Sequence, residues 1–355
     1  MKKQFSKIAA IIGIATCSIS LMVSCSSNEP TLGAIPKANF TFQELTPKSD
    51  SLPQNIILVN TTSPKGIAYW NIKGIGTFIG DTVRATAVFK GTYEVDLFVT
   101  AQGGLTDTLK QNIVISKDNP LAISPTSLLN VMTNATGTGS KVWYAPRVLD
   151  VCVVGPDIQT NLAAIAAGGG AWWGFGPGEI TTDGSGRDGY LDDSYTFFFG
   201  PDFKFTYDDK GTCFLDAGGS GWTGALVGNT VTASFSKPIG TPYSQALGNY
   251  MTADVYAANP ALKPWGPGTY SYSLVPGAGA MGLGQITVNG IGAHFGLQDK
   301  TEHGDVKSPT VKSVTYDVQK INLNVSNPSG GTYDQIIIGV NSGGVCWSFV
   351  FRSNH

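Results

Sequence analysis

The chain is poor in charge: Asp, Glu, Lys and Arg make up 14% of its 355 residues. No basic run occurs, which argues against nucleic acid or anionic headgroups as partners. Histidine is nearly absent. His294, His303 and His355 are the whole stock, and His355 is terminal. His294 and His303 lack helical spacing and have no thiolates nearby, so they read as solvated loop residues rather than a metal site. No Gly-x-Ser-x-Gly elbow precedes a helix, which leaves nucleophilic catalysis without a motif. Apolar runs long enough to cross a bilayer are missing beyond the N-terminal segment.

Carboxylates are as badly placed. A retaining glycosidase needs two carboxyl groups about 5–5.5 Å apart, and alternate positions on one strand are a common way to supply them. The one partial match is Glu94-Val95-Asp96, with Val99 where a third acid would stand. Beyond residue 127 the glutamates are Glu179 and Glu302. The chain is therefore read as a non-enzyme. A secreted glycoside hydrolase or lyase with an unorthodox acid pair is one alternative, and a surface adhesion or protein-binding protein is another.

The first 25 residues form a leader. Lys2, Lys3 and Lys7 precede an apolar stretch from Ile8 to Val23, too short and too abruptly ended for a membrane span. Leu21-Met22-Val23-Ser24-Cys25 resembles a bacterial lipobox, which implies lipidation of Cys25 and an outer-membrane anchor. Three of the 23 basic residues leave with the leader and none of the 25 acidic ones does, so the mature chain is acidic by five. Cys17 is lost as well. Cys152, Cys213 and Cys346 remain, with neither a zinc spacing nor a disulfide framework, and are read as buried apolar thiols, with a single bridge as the alternative.

Glycine (45 residues) and proline (19) are plentiful, and short alternating runs recur between them. That texture predicts an all-β chain: a small immunoglobulin-like sandwich over 39–117, then a large jelly-roll-type sandwich over 127–355. Residues 26–38 read as a tether and 118–126 as a linker. Strands are expected at 39–42, 56–60, 68–72, 83–89, 93–102 and 110–115. In the large domain they are expected at 141–144, 230–234, 269–274, 285–288, 315–318, 321–325, 336–340 and 346–351. Short helical pieces are expected at 128–132 and 160–167.

Aromatics concentrate between Trp172 and Trp222, which hold 13 of the chain's 37. Tyr195, Phe197 and Phe199 alternate, as do Phe203, Phe205 and Tyr207, so each set shares one face of a strand, with Gly200-Pro201-Asp202 as the hairpin turn. Trp70, Trp143 and Trp347 lie on strands and read as core. Four tryptophans sit instead beside Gly or Pro: Trp172, Trp173, Trp222 and Trp265. A sugar ring has an apolar C–H face that stacks on an indole, and hydroxyls that need a few amide, carboxylate or guanidinium partners. These four are the candidate glycan-binding residues, and the Trp172-Trp173 pair is expected in a loop. Gly277-Ala278-Gly279-Ala280-Met281-Gly282 matches a dinucleotide fingerprint literally, but a β segment follows it instead of a helix, so it reads as a loop. Asp183-Gly184-Ser185-Gly186-Arg187-Asp188-Gly189 fails the EF-hand register. It reads as a polar turn, with no cofactor implied; structural calcium held by Asp183, Asp188, Asp192 or Asp193 is the lesser alternative.

Two stretches resemble known families. Trp70, with Gly91, Tyr93 and Val95 in a Gly-x-Tyr-x-Val strand, is similar to the polycystic-kidney-disease (PKD) type of immunoglobulin-like domain, although Lys73-Gly74-Ile75-Gly76 replaces its acidic turn. That resemblance implies a spacer. Trp172-Trp173, Gly176-Pro177, Leu191-Asp192-Asp193, Tyr195-Thr196-Phe197 and the Phe205-to-Gly211 hairpin resemble a pattern of Bacteroidota surface glycan-binding lipoproteins from polysaccharide utilisation loci. It implies a lipoprotein on the outer face of the outer membrane that captures polysaccharide for a neighbouring transporter.

Overall fold

A computed structural model describes residues 33–47, 53–147, 151–175, 190–210, 213–214, 250–251, 260, 263–298, 309–342 and 344–354. Cys25, Glu179, Asp183, Asp188, Trp222, Glu302, His303 and the strand expected at 230–234 lie outside them. The chain divides into two compact units, each described by itself.

The small unit has eight strands: β1 (Phe40–Glu44), β2 (Ile56–Asn60), β3 (Ile67–Ile72), β4 (Gly76–Ile79), β5 (Thr82–Ala85), β6 (Gly91–Ala101), β7 (Gly104–Leu105) and β8 (Leu109–Ile115). One sheet runs β1-β2-β5; the other runs β4-β3-β6-β7, with β8 also paired to β6. Strict alternation drives this arrangement. Ala68, Trp70 and Ile72 point inward from β3, and Val95, Leu97 and Val99 from β6, all buried. Trp70 packs edge-on against Phe40 at 5.4 Å, and its indole N–H donates to the Gly80 carbonyl at 2.8 Å. That bond lets a large polar-tipped ring be buried without an orphaned donor.

The large unit opens with helix α1 (Leu128–Thr133). Its first turn is capped by the Ser127 hydroxyl, which accepts from the Asn130 amide. Strands follow: β9 (Ser140–Trp143), β10 (Cys152–Gly155), β11 (Trp173–Phe175), β12 (Ser194–Phe198), β13 (Lys204–Asp208), β14 (Cys213–Phe214), β15 (Tyr250–Met251), β16 (Gly268–Val275), β17 (Gln285–Asn289), β18 (Ser313–Ser326), β19 (Thr332–Ser342) and β20 (Val345–Asn354). Helix α2 (Ile158–Ala167) lies between β10 and β11. Ten strands make one antiparallel sheet in the order β11-β10-β20-β19-β18-β17-β16-β13-β12-β9, while β14 and β15 pair separately. The sheet curls until its β9 end meets β20. Just past β9, Tyr144 exchanges backbone hydrogen bonds with Arg352 of β20, at 3.0 and 2.9 Å.

Its core is the concave face. Trp143, Tyr195, Phe197, Phe205, Tyr207, Phe295 and Phe351 fill it, and Leu128 and Met132 of α1 pack against them. Burying each such side chain is worth about 1.5–3 kcal/mol. The alternating sets Tyr195/Phe197 and Phe205/Tyr207 face inward, and the turn at Gly200-Pro201 joins their strands. The chain is all-β, as its alternation predicts. β10 had no alternation to announce it: Val151 to Gly155 is buried at every position, the pattern of a strand covered on both faces. Cys152 and Cys346 are buried on adjacent strands. The glycine-rich run at 277–282 is a turn leading directly into β17, with no helix after it.

Candidate functional site

The β11 side of the large sheet carries the exposed indoles. The Asp157 carboxylate caps α2, accepting from the Thr160 amide and hydroxyl at 2.8 and 2.9 Å. Gly168, in the left-handed conformation at φ 74°, ends the helix. Asn161 then ties α2 to the sheet, donating to the Cys346 carbonyl at 2.8 Å and the Ser348 hydroxyl at 2.9 Å. Gly155 makes this approach feasible, since a Cβ there would stand 2.2 Å from the Asn161 amide oxygen. The chain reverses through Gly168-Gly169-Gly170 and returns along β10. Trp172 N–H donates to the Val154 carbonyl at 2.9 Å.

Trp172 is 60% exposed and Trp173 37%. Trp173 does not lie in a loop, as its glycine-rich surroundings suggested; it opens β11, opposite Val154. Val154 is in turn opposite Trp347 of β20. The three residues form a row, in which Trp173 meets Trp347 edge-on at 6.2 Å. Trp347, expected in the core, is only half-buried and packs against the core's margin. Sequence reasoning missed it as a member of this edge because its alternation with Phe349 and Phe351 hides that the sheet runs on past the core.

Of the other two candidates, Trp265 does not join them. Trp265 is fully buried, at 0% exposure, so it offers no stacking face and is corrected to a core residue. Glycines around it permit close backbone approach rather than exposure. Gly292, at φ 84°, would place a Cβ 1.9 Å from the Pro264 carbonyl oxygen, which accepts from the Tyr270 hydroxyl at 2.8 Å. Trp222 lies outside the described residues. Of the aspartates weighed for calcium, Asp192 pairs with Arg147 at the surface and Asp193 is buried. Among the described residues no three His, Cys, Asp or Glu side chains are grouped to hold a metal.

No protein-family model matches the chain, and no curated protein matches it. Its function is therefore argued from its own residues.

A second concentration of chemistry lies inside the curled sheet. Tyr207 Oη donates to Asp193 Oδ2 at 3.0 Å and accepts from Gln298 Nε2 at 2.8 Å. His294 packs edge-on against Tyr207 at 4.2 Å, and its Nδ1 is 2.7 Å from the Gly292 carbonyl. All four side chains are buried, so His294 is not the solvated loop residue its sequence context suggested. Burial raises the Asp193 pKa well above the usual carboxylate value; the Tyr207 hydrogen bond opposes this, and nearby Asp209 adds to it. Burial also lowers the His294 pKa to about 4, against the Gly292 carbonyl. Asp193 Oδ1 and His294 Nε2 have no hydrogen-bond partner among the described residues. Tyr207 was legible as core from its alternation. Its hydroxyl was the overlooked signal, because a buried phenol needs a polar partner.

Proposed function

We propose that this chain is a non-catalytic surface lipoprotein that binds polysaccharide by aromatic stacking. One observation carries the reading: two adjacent indoles, Trp172 in the bend before β11 and Trp173 at its first position, are exposed. Fixed backbone hydrogen bonds preorganise them, so little side-chain entropy is lost on binding a flat, partly apolar ring. In this reading Cys25 anchors the protein in the outer membrane, facing outward. The small unit acts as a PKD-type spacer, and captured glycan passes to a neighbouring transporter. No cofactor is needed, because stacking requires no activated group. A glycosidase or lyase would need a carboxyl pair within reach of substrate, and burial of Asp193 and Asp209 favours the binding reading over that one.

The test is native affinity electrophoresis of residues 26–355 through gels containing soluble starch, barley β-glucan, xylan or galactomannan. Retardation by one polymer, sharply reduced in Trp172→Ala or Trp173→Ala, is the expected result. Retardation that neither change alters would move the site elsewhere. An unretarded wild type would direct attention to a protein-binding surface role.

A further inference from the structure

The outer face of the small unit's larger sheet is built in rows. Strand β3 has β4 on one side and β6 on the other. Their registers align Ile79, Tyr69 and Phe98 in one row, and Thr77, Asn71 and Asp96 in the next. Their strand neighbours Trp70, Val95, Leu97 and Val99 fill the core, so these six alternate outward. The first row is apolar: the Tyr69 and Phe98 rings stack at 4.9 Å with 10° between their planes, and Ile79 is 69% exposed. The second row is polar, with the Asn71 amide donating to Asp96 at 3.3 Å. The two rows line a depression of about 390 Å³.

Sheet faces turned to water ordinarily carry polar residues, and the unit's core does not call for an aromatic pair on its outside. What the arrangement offers is an apolar strip beside a strip of hydroxyl, amide and carboxylate. Two residues along a strand separate the rows by about 7 Å, the width of a pyranose ring with its hydroxyls. The charges nearby are internally paired: Lys73 with Glu94, and Lys110 with Glu94 and Asp96 at 3.8 and 3.9 Å. A neutral sugar suits that balance better than an acidic one.

We propose that this face is a second saccharide-contact site, in which Tyr69, Phe98 and Ile79 pack on the C–H face of a neutral pyranose and Asn71 and Asp96 take its hydroxyls. The inference rests on the glycan-binding reading above. It makes the small unit a participant in binding rather than a spacer alone, and a polymer long enough to meet both sites would be held by linked contacts.

The experiment uses residues 26–355 in native gels cast with the same four polysaccharides. Five proteins are compared: wild type, Thr77→Arg, Tyr69→Ala, the double variant Trp172→Ala/Trp173→Ala, and the triple variant Thr77→Arg/Trp172→Ala/Trp173→Ala. Thr77 is exposed, so Arg there blocks the depression without removing a core side chain. Tyr69→Ala serves as the contact-deleting partner, with circular dichroism to confirm folding. Thr77→Arg is expected to weaken retention about tenfold or more. The double tryptophan variant keeps a residual retardation, and the triple variant loses it. Wild-type retention unchanged by both Thr77→Arg and Tyr69→Ala would overturn this inference and leave the main reading standing. A wild type unretarded by every polymer would overturn both.

Discussion

At the scale of single residues, the buried polar knot makes two opposite predictions about acid and base. The His294 pKa is about 4 in the folded chain, against an ordinary 6.5. As pH falls below 6.5, the unfolded chain takes up a proton that the folded chain refuses. Stability is therefore lost from about pH 6.5 down to pH 4, by an amount on the order of 3 kcal/mol at about 1.4 kcal/mol per unit. Urea midpoints between pH 7 and 4 should fall more steeply for wild type than for His294→Asn; parallel curves would mean the imidazole is not the acid-sensitive group. Asp193 works the other way. Its folded pKa is raised, so the folded chain holds a proton that the unfolded chain has released above about 3.8, and stability declines as pH rises from there toward the folded pKa. Asn can still accept the Tyr207 hydrogen bond and never ionises. Asp193→Asn should equal or exceed wild type in stability at pH 8, with the gap narrowing at pH 4. A large loss at pH 8 would show that the carboxylate itself is required.

At the scale of elements, tryptophans that look alike in sequence should behave differently. Trp265 is fully buried in a Pro-Trp-Gly corner, so Trp265→Ala should cost about 3–5 kcal/mol of stability. Trp172 is mostly exposed, so Trp172→Ala should stay within about 0.5 kcal/mol of wild type while weakening glycan retention. Thermal melts of the two variants side by side check this, and an equal loss in both would contradict the edge placement. The contrast also shows what was legible. β12 and β13 could be read because aromatics alternate at Tyr195, Phe197, Phe205 and Tyr207, each pointing to one core. β10 could not, since a strand covered on both faces has no alternation. Glycine and proline around Trp265 looked like an open loop, but Gly292 is required where two backbone segments touch. Composition reports which conformations are allowed, not which side of them meets water. Trp172 and Trp173 could be named from sequence for the same glycine-rich reason. The placement of Trp173 on β11 and its contact with Trp347 depend on pairings across almost 200 positions, which no local pattern carries.

At the scale of the whole large unit, the open question is what closes the curl. Chain-order hairpins explain the sheet from β16 through β20, but the approach of β9 to β20 is a long-range closure with few backbone bonds. One buried ion pair sits there. Lys141 of β9 points inward, pairs with Asp334 of β19 and lies 4.7 Å over the Trp143 ring. Asp334 also accepts from the Asn324 amide at 2.8 Å. Both side chains are buried, and burial lowers the Lys141 pKa against the pull of Asp334. An ion pair so placed gives little net stability compared with apolar residues of equal volume, yet breaking one half leaves a charge stranded. Lys141→Met should therefore cost about 3–5 kcal/mol. The double change Lys141→Met/Asp334→Leu should recover most of that loss, which would make the pair a device for fixing the strand position rather than a source of stability. Urea midpoints of the three proteins decide the matter. A double variant no better than Lys141→Met would mean that the carboxylate's bond to Asn324, and not the cation, holds the seam in place.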